Sequence, residues 1–223
     1  MNNHFYQRAI VLGASGGIGH ALLGALPADH VIALSRSGGD FDLTDERSIE
    51  AAARRVASAD LILDATGALE LVGAVPEKSF DALDPWAMAR QYQINAIGPA
   101  LILKHFMPIL DRDRRSVIAS LSARVGSIGD NRLGGWVSYR AAKAGLNQII
   151  HTAAIELARR NKQAICVALH PGTVRTPLTA KYVGRHPAVA PEQAAVNIVS
   201  VLDSLSVQDT GGFFDWQGDR IPW

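Results

Sequence analysis

The stretch Ala9-Ile10-Val11-Leu12-Gly13-Ala14-Ser15-Gly16-Gly17-Ile18-Gly19 reads as a buried strand, a glycine-rich turn and the first turn of a helix. Four apolar residues in a row suit a strand covered on both faces, as in a parallel sheet. Glycine permits positive φ and lets a pyrophosphate approach the backbone, and the free N–H groups and dipole of the following helix attract its charge. The spacing is G-x-x-x-G-x-G rather than G-x-G-x-x-G, and alone such a turn serves equally as a structural corner.

Outward from this turn, short apolar strands alternate with helical stretches. Helices are predicted at Ile18–Leu26, Glu46–Val56, around Trp86–Leu110, Tyr139–Arg160 and Glu192–Leu205; strands at Arg8–Leu12, His30–Ser35, Leu61–Leu63, Ser116–Leu121 and Ala164–Leu169. This order argues for one doubly wound α/β domain over residues 1–223, its parallel sheet covered on both faces. Loops at Ala68–Lys78, Ala123–Val137 and Pro171–Pro191 follow strand ends, where such folds bind ligands. Only Arg36-Ser37-Gly38-Gly39 separate the second strand from Asp40–Leu43, too few for a crossover helix. Either that crossover is shortened to a loop or Asp40–Leu43 is not a parallel strand.

Composition adds exclusions. Of 223 residues, 48% are hydrophobic and 19% charged, with a net charge of +1, so no electrostatic argument favours nucleic acid or a membrane surface as partner. The first residues lack the apolar core of a signal peptide and no run of about 18 apolar residues occurs, so a cytoplasmic location is expected. The seven histidines, His186 among them, are scattered without ligand spacing, which gives a metal site no support. Cys166, the single cysteine, lies in an apolar run and reads as a buried structural thiol.

Tyr139-Arg140-Ala141-Ala142-Lys143 places a phenol and an ammonium four residues apart, on one face of a helix. A nearby cation favours phenolate, which would lower the tyrosine pKa towards a range useful for proton transfer. The spacing also occurs by chance on amphipathic helices with a solvated lysine.

Taken together, four ordered motifs resemble the short-chain dehydrogenase/reductase family: Gly13 to Gly19, Asn95, Tyr139 with Lys143, and Pro171-Gly172-Thr173-Val174-Arg175-Thr176. Arg124 to Trp136, and the ending Phe213-Phe214-Asp215-Trp216 to Ile221-Pro222-Trp223, resemble the C-factor-like branch, related to sniffer-type carbonyl reductases. The resemblance covers nearly the whole chain. It implies a Rossmann fold, Tyr139 as general acid towards a carbonyl oxygen, Lys143 on the nicotinamide ribose, and Asn95 anchoring a water that links Lys143 to solvent. It further implies that Gly13, Ser15, Gly16, Gly17, Ile18, Gly19, Asp42, Leu43, Ala65, Thr66, Gly67, Pro171, Gly172, Thr173, Val174 and Thr176 line the cofactor.

Two departures stand out. The family's serine before the tyrosine falls, by register from Gly126, on Ala123; Ser122 is the candidate in its place, with Ser120 behind it, provided the strand ends before Ser122. Asp64-Ala65-Thr66-Gly67 stands where the family usually has Asn-Asn-Ala-Gly, and the role of Asp64 is open. At the end of the second strand, Ser35 and Arg36 replace the acidic residue an NAD enzyme uses, and the guanidinium fork suits a 2′-phosphate; NADPH is expected over NADH.

The reading that results is an NADPH-dependent carbonyl reductase or alcohol dehydrogenase with a small carbonyl or alcohol substrate. A dinucleotide-binding signalling protein with incidental turnover is the alternative. A nucleotide-sugar epimerase would share the Tyr-x-x-x-Lys pair but would need a larger substrate domain than residues 172–223 provide. The family resemblance implies a homodimer or homotetramer through the two long helices. The stripe Ala142, Leu146, Ile149, Ile150, Ala153 and Leu157 reads as too broad for the sheet alone to cover, unless the carboxy-terminal aromatic segment folds over it.

Overall fold

A computed structural model describes residues 4–183 and 187–223. His186, one of the scattered histidines, and the first three residues of the amino-terminal segment lie outside the described residues.

Six parallel strands form one sheet in the order β2-β1-β3-β4-β5-β6: β1 Tyr6–Leu12, β2 Ala28–Leu34, β3 Leu61–Asp64, β4 Ser116–Leu121, β5 Ala164–His170 and β6 Phe213–Asp215. Because side chains alternate along each strand, the sheet feeds two cores. Ile10, Leu12, Ile62, Ile118 and Cys166 face one side, under α2 Glu46–Val56, α4 Gly98–Phe106 and α5 Val137–Arg160. Val11, Leu61, Leu63, Val117, Ile165 and Val167 face the other, under α1 Gly17–Ala25 and α6 Pro191–Ser204. Two-sided burial is why these strands read as unbroken apolar runs.

Helix starts follow local chemistry. Asp45 accepts the Arg47 N–H at 2.9 Å to cap α2, with Glu46 in its first turn and Arg54 and Arg55 in its last, matching the helix dipole. Asp84 caps α3 Pro85–Tyr92 through the Ala87 N–H at 2.7 Å, with Pro85 at the first helical position.

Of the two readings of residues 40–43, the second holds: they form no strand, β2 stays at the sheet edge, and a loop runs from Ser35 directly into α2. The long helix expected around Trp86–Leu110 is a continuous run, but α3 and α4 are joined through a π-helical turn, Gln93–Ile97. Three-residue β6 was not predicted; it pairs with β5, Phe213 opposite Ala168.

The breadth argument for a helix-mediated dimer is corrected. Ala142, Leu146, Ile150, Ala153 and Leu157 are buried within this one chain, and only Ile149 of the stripe is partly open. The sheet and the carboxy-terminal segment account for this, with Trp223 stacked on Phe213 at 5.7 Å and edge-on to His151 at 5.6 Å. Cys166 is buried, and burial pushes its thiol up to about 12, an inert packing residue. No helix among the described residues is long and apolar enough to cross a membrane.

Candidate active site

The glycine-rich turn packs on the end of β3. Gly13 has φ +79°, and a Cβ there would lie 2.9 Å from the Ala65 carbonyl oxygen; one on Gly19 would lie 2.2 Å from the Gly13 carbonyl oxygen. Neither position admits a side chain. Gly16 caps α1 without any side-chain acceptor and the first turn carries no acidic residue, so its amides meet no internal anion. Ser15 is exposed at the same turn, beside Ile18. Thr176 closes the far side, its methyl 2.7 Å from where a Gly17 Cβ would stand, which brings the Pro171–Thr176 segment onto the turn. Within that segment Val174 is buried and Gly172 lies against the Trp216 indole, while Thr173 is exposed.

At the end of β2, the Ser35 hydroxyl accepts the Gly38 N–H at 3.1 Å and the Ser35 N–H donates to Asp40 at 3.0 Å, fixing a tight loop from which Arg36 projects into solvent. The N–H and then the hydroxyl of Thr44 hold the Asp42 carboxyl below the usual carboxylate range, with Arg36 adding to the effect. Leu43 packs so closely on Gly98 that a Cβ there would meet its Cγ at 2.5 Å.

Tyr139 and Lys143 sit in the first two turns of α5, at the carboxyl ends of β3 and β4. Lys143 is 3% exposed; its Nζ donates to the Leu121 carbonyl at 2.9 Å and lies 6.0 Å from the Tyr139 ring centre. Burial pushes Lys143 down to about 8, with Asp64 opposing. The sequence-based expectation of a lowered tyrosine pKa is not met: burial raises the Tyr139 phenol above its usual value.

Asn95, fully buried in the π-turn, reaches the loop after β3 rather than its own helix backbone. Its Nδ2 donates to the Ala68 carbonyl at 2.8 Å and to Gln91 Oε1 at 2.6 Å, and its Oδ1 accepts the Ala68 N–H at 3.2 Å. A Cβ on Gly67 would stand 2.9 Å from Asn95 Oδ1 and 3.5 Å from Lys143 Nζ, so Asn95, Gly67 and Lys143 share one wall, continued by Ala65 and Thr66. π-turns are frequent at functional sites.

β4 ends at Leu121, as a role for Ser122 requires, yet the buried Ser122 hydroxyl donates to Asn147 Oδ1 at 2.6 Å on α5. Ser120 lies across the ladder from Asp64.

Two contributors, Glu77 and Glu70, were invisible in the sequence. Buried Glu77 grips the start of α5: its backbone carbonyl accepts the Trp136 N–H at 2.5 Å and its carboxylate accepts the Ser138 N–H and hydroxyl. Trp136, at φ +52° after Gly134 and Gly135, stands edge-on to Tyr139 at 6.3 Å and to Tyr182 at 5.3 Å. Glu70 accepts from the Tyr182 hydroxyl at 2.6 Å and from Lys181 Nζ at 2.8 Å, tying the loop after β5 to the loop after β3. Neither glutamate carries a local signal, because each partner lies far away in sequence.

Residues 28–204 match the family model described as Enoyl-(Acyl carrier protein) reductase. The chain is 30% identical over 228 residues to 1-hydroxy-2-glutathionyl-2-methyl-3-butene dehydrogenase of Rhodococcus sp. (strain AD45), covering 96% of this chain and 98% of that protein. It is 34% identical over 137 residues to C-signal of Myxococcus xanthus, covering 61% of this chain and 78% of that one. Its fold superposes on the NADPH-bound carbonyl reductase from chicken fatty liver with a TM-score of 0.83, at 24% identity over 99% of this chain and 100% of the other. The family model and the Rhodococcus relative, each spanning most of the sequence, make this chain a member of the short-chain dehydrogenase/reductase family.

Proposed function

We propose that the protein is an NADPH-dependent carbonyl reductase, working reversibly between a ketone or aldehyde and the alcohol, with Tyr139 as proton donor. One observation carries this: a half-buried phenol and a buried ammonium one helical turn apart, at the carboxyl end of the sheet, whose glycine turn admits no Cβ at Gly13 or Gly19.

The residues present fit the dinucleotide. Gly13, Ser15, Gly16, Gly17, Ile18 and Gly19 offer the close backbone and uncapped helix start that a pyrophosphate needs. Arg36 and Ser35 would hold the 2′-phosphate, and Asp42 and Leu43 would flank the adenine. Ala65, Thr66 and Gly67 would line the middle of the dinucleotide, and Pro171, Gly172, Thr173, Val174 and Thr176 its nicotinamide end. When bound, NADPH supplies the hydride.

Tyr139 gives its proton to the oxygen as the carbonyl carbon gains hydrogen. A phenol kept protonated by burial is in the right state for that task. The tyrosinate left behind is stabilised by the Lys143 ammonium, which also serves the ribose. Asn95 holds the Ala68 wall beside Lys143.

The likeness to C-signal favours a second reading, a dinucleotide-binding signalling protein with incidental turnover. A homodimer is further proposed at the groove between α4 and α5, about 570 Å³ in volume and lined by Leu103, Met107, Pro108, Ile149 and Leu157.

Turnover of the purified protein with NADPH is measured against aldehydes, ketones and quinones. Tyr139→Phe is expected to lose about 10²- to 10⁴-fold in turnover while NADPH affinity stays within a few-fold. Wild-type turnover in that variant overturns the mechanism, and no turnover on any carbonyl favours the signalling reading.

A further inference from the structure

β3 ends inside the protein on a carboxylate. Asp64 is 2% exposed and lies in register with Leu12 of β1 and Ser120 of β4. Its Oδ1 accepts the Thr66 N–H at 3.0 Å and the Thr66 hydroxyl at 2.5 Å, an Asx turn that closes the strand. A strand end needs no charge for this: a neutral amide oxygen could accept the same bonds.

Lys143 approaches from α5. Its ammonium donates to the carbonyl of Leu121, the residue after Ser120, and stands 3.5 Å from where a Cβ would be on Gly67, three residues beyond Asp64. A cation buried to this depth on one neutral hydrogen bond is costly unless a counter-charge shares its surroundings.

We propose that Asp64 is that counter-charge: a positioning residue that keeps the Lys143 ammonium protonated beside Tyr139 and acts on the reaction only through Lys143. The use of Lys143 in catalysis rests on the carbonyl-reductase reading; the pairing itself does not.

The groups facing the pair are few. From β4 come the Ser120 hydroxyl and the Leu121 carbonyl, from the loop Thr66, from the π-turn the neutral Asn95, and from α5 Tyr139 on the same helix face. Among the described residues, Asp64 is the charge that acts on Lys143, and Lys143 the charge that acts on Asp64. Burial pushes Lys143 down and Asp64 up, and each opposes the other's shift. Removing the carboxylate therefore lets the ammonium lose its proton at lower pH.

The test is an NMR titration of the full chain labelled with ¹³Cε-lysine, the Lys143 resonance being the one absent in Lys143→Arg. The wild-type midpoint is expected near 8. In Asp64→Asn, which keeps an acceptor for Thr66, it is expected to fall by about one pH unit or more. An unchanged midpoint overturns the proposal. Should Asp64→Asn fail to fold, ¹³Cγ-aspartate labelling of the wild-type chain decides: the Asp64 resonance is expected to show a second inflection at the Lys143 midpoint, and its absence overturns the pairing. Neither readout needs a substrate. Missing turnover would therefore refute the reductase reading alone, and an uncoupled titration would refute the pair alone. Where turnover is found, the alkaline limb of the Asp64→Asn pH profile is expected to move down with the lysine midpoint.

Discussion

Glu77 and Ser138 are joined by two hydrogen bonds across 61 residues of sequence: the Ser138 hydroxyl and its backbone N–H both donate to the Glu77 carboxylate. The acceptor meets the positive end of the α5 dipole at Ser138, one residue before Tyr139, and takes the place of the absent side-chain cap at Trp136. Together with the bond from the Trp136 N–H to the Glu77 carbonyl, it holds a tryptophan in the left-handed region that a side chain rarely adopts.

This grip sets where the phenol points. Glu77→Ala is expected to lower kcat by about 10- to 100-fold, since small displacements of a catalytic group are costly. The NADPH dissociation constant should move little, because the bonds of Glu77 go to Trp136 and Ser138 at the start of α5. Glu77→Gln, which retains an acceptor for Ser138, should recover most of the loss. Equal kcat in Glu77→Ala and wild type would detach Glu77 from the catalytic geometry.

Arg36 projects from a loop braced by Ser35 and Asp40 and is free to meet a phosphate. Arg36→Glu replaces attraction by repulsion, so NADPH should weaken about 10- to 100-fold more than NADH. Fluorescence titration with both dinucleotides measures the ratio. Equal losses for the two would remove Arg36 from the phosphate site.

The Ser122 hydroxyl is spent on Asn147. Ser122→Ala is expected to keep turnover within a few-fold but to cost about 1–3 kcal/mol in urea denaturation, because a buried Asn147 oxygen loses its donor. A drop of about 10²-fold in kcat would instead put Ser122 on the substrate oxygen.

Ile149 and Ile150 are neighbours with opposite fates: Ile150 is 1% exposed in the core, while Ile149 lines the α4–α5 groove. If the groove seats a second copy, light scattering should give twice the chain mass for wild type and a single-chain mass for a folded Ile149→Glu. Ile150→Glu should unfold the chain, since it buries a charge without a partner. A single-chain mass for wild type at micromolar concentration rejects the dimer.

The sequence by itself determined the class of fold and the order of its elements. The extents of α2 and β4 were read residue for residue, because the apolar period and the flanking turns act within a few residues. The glycine turn and the Tyr139–Lys143 spacing were legible for the same reason. Tertiary structure alone decided the rest. Three residues of β6 carry no period and exist as a strand only because β5 offers an edge. That the Ser122 hydroxyl donates to Asn147, that Asn95 bonds the Ala68 loop rather than its own helix backbone, and that the Glu77 carboxylate meets Ser138 follow only from the parallel crossovers that bring the ends of β3, β4 and α5 together. A short polar side chain takes whichever partner the topology brings within about 3 Å, and that partner is encoded tens of residues away.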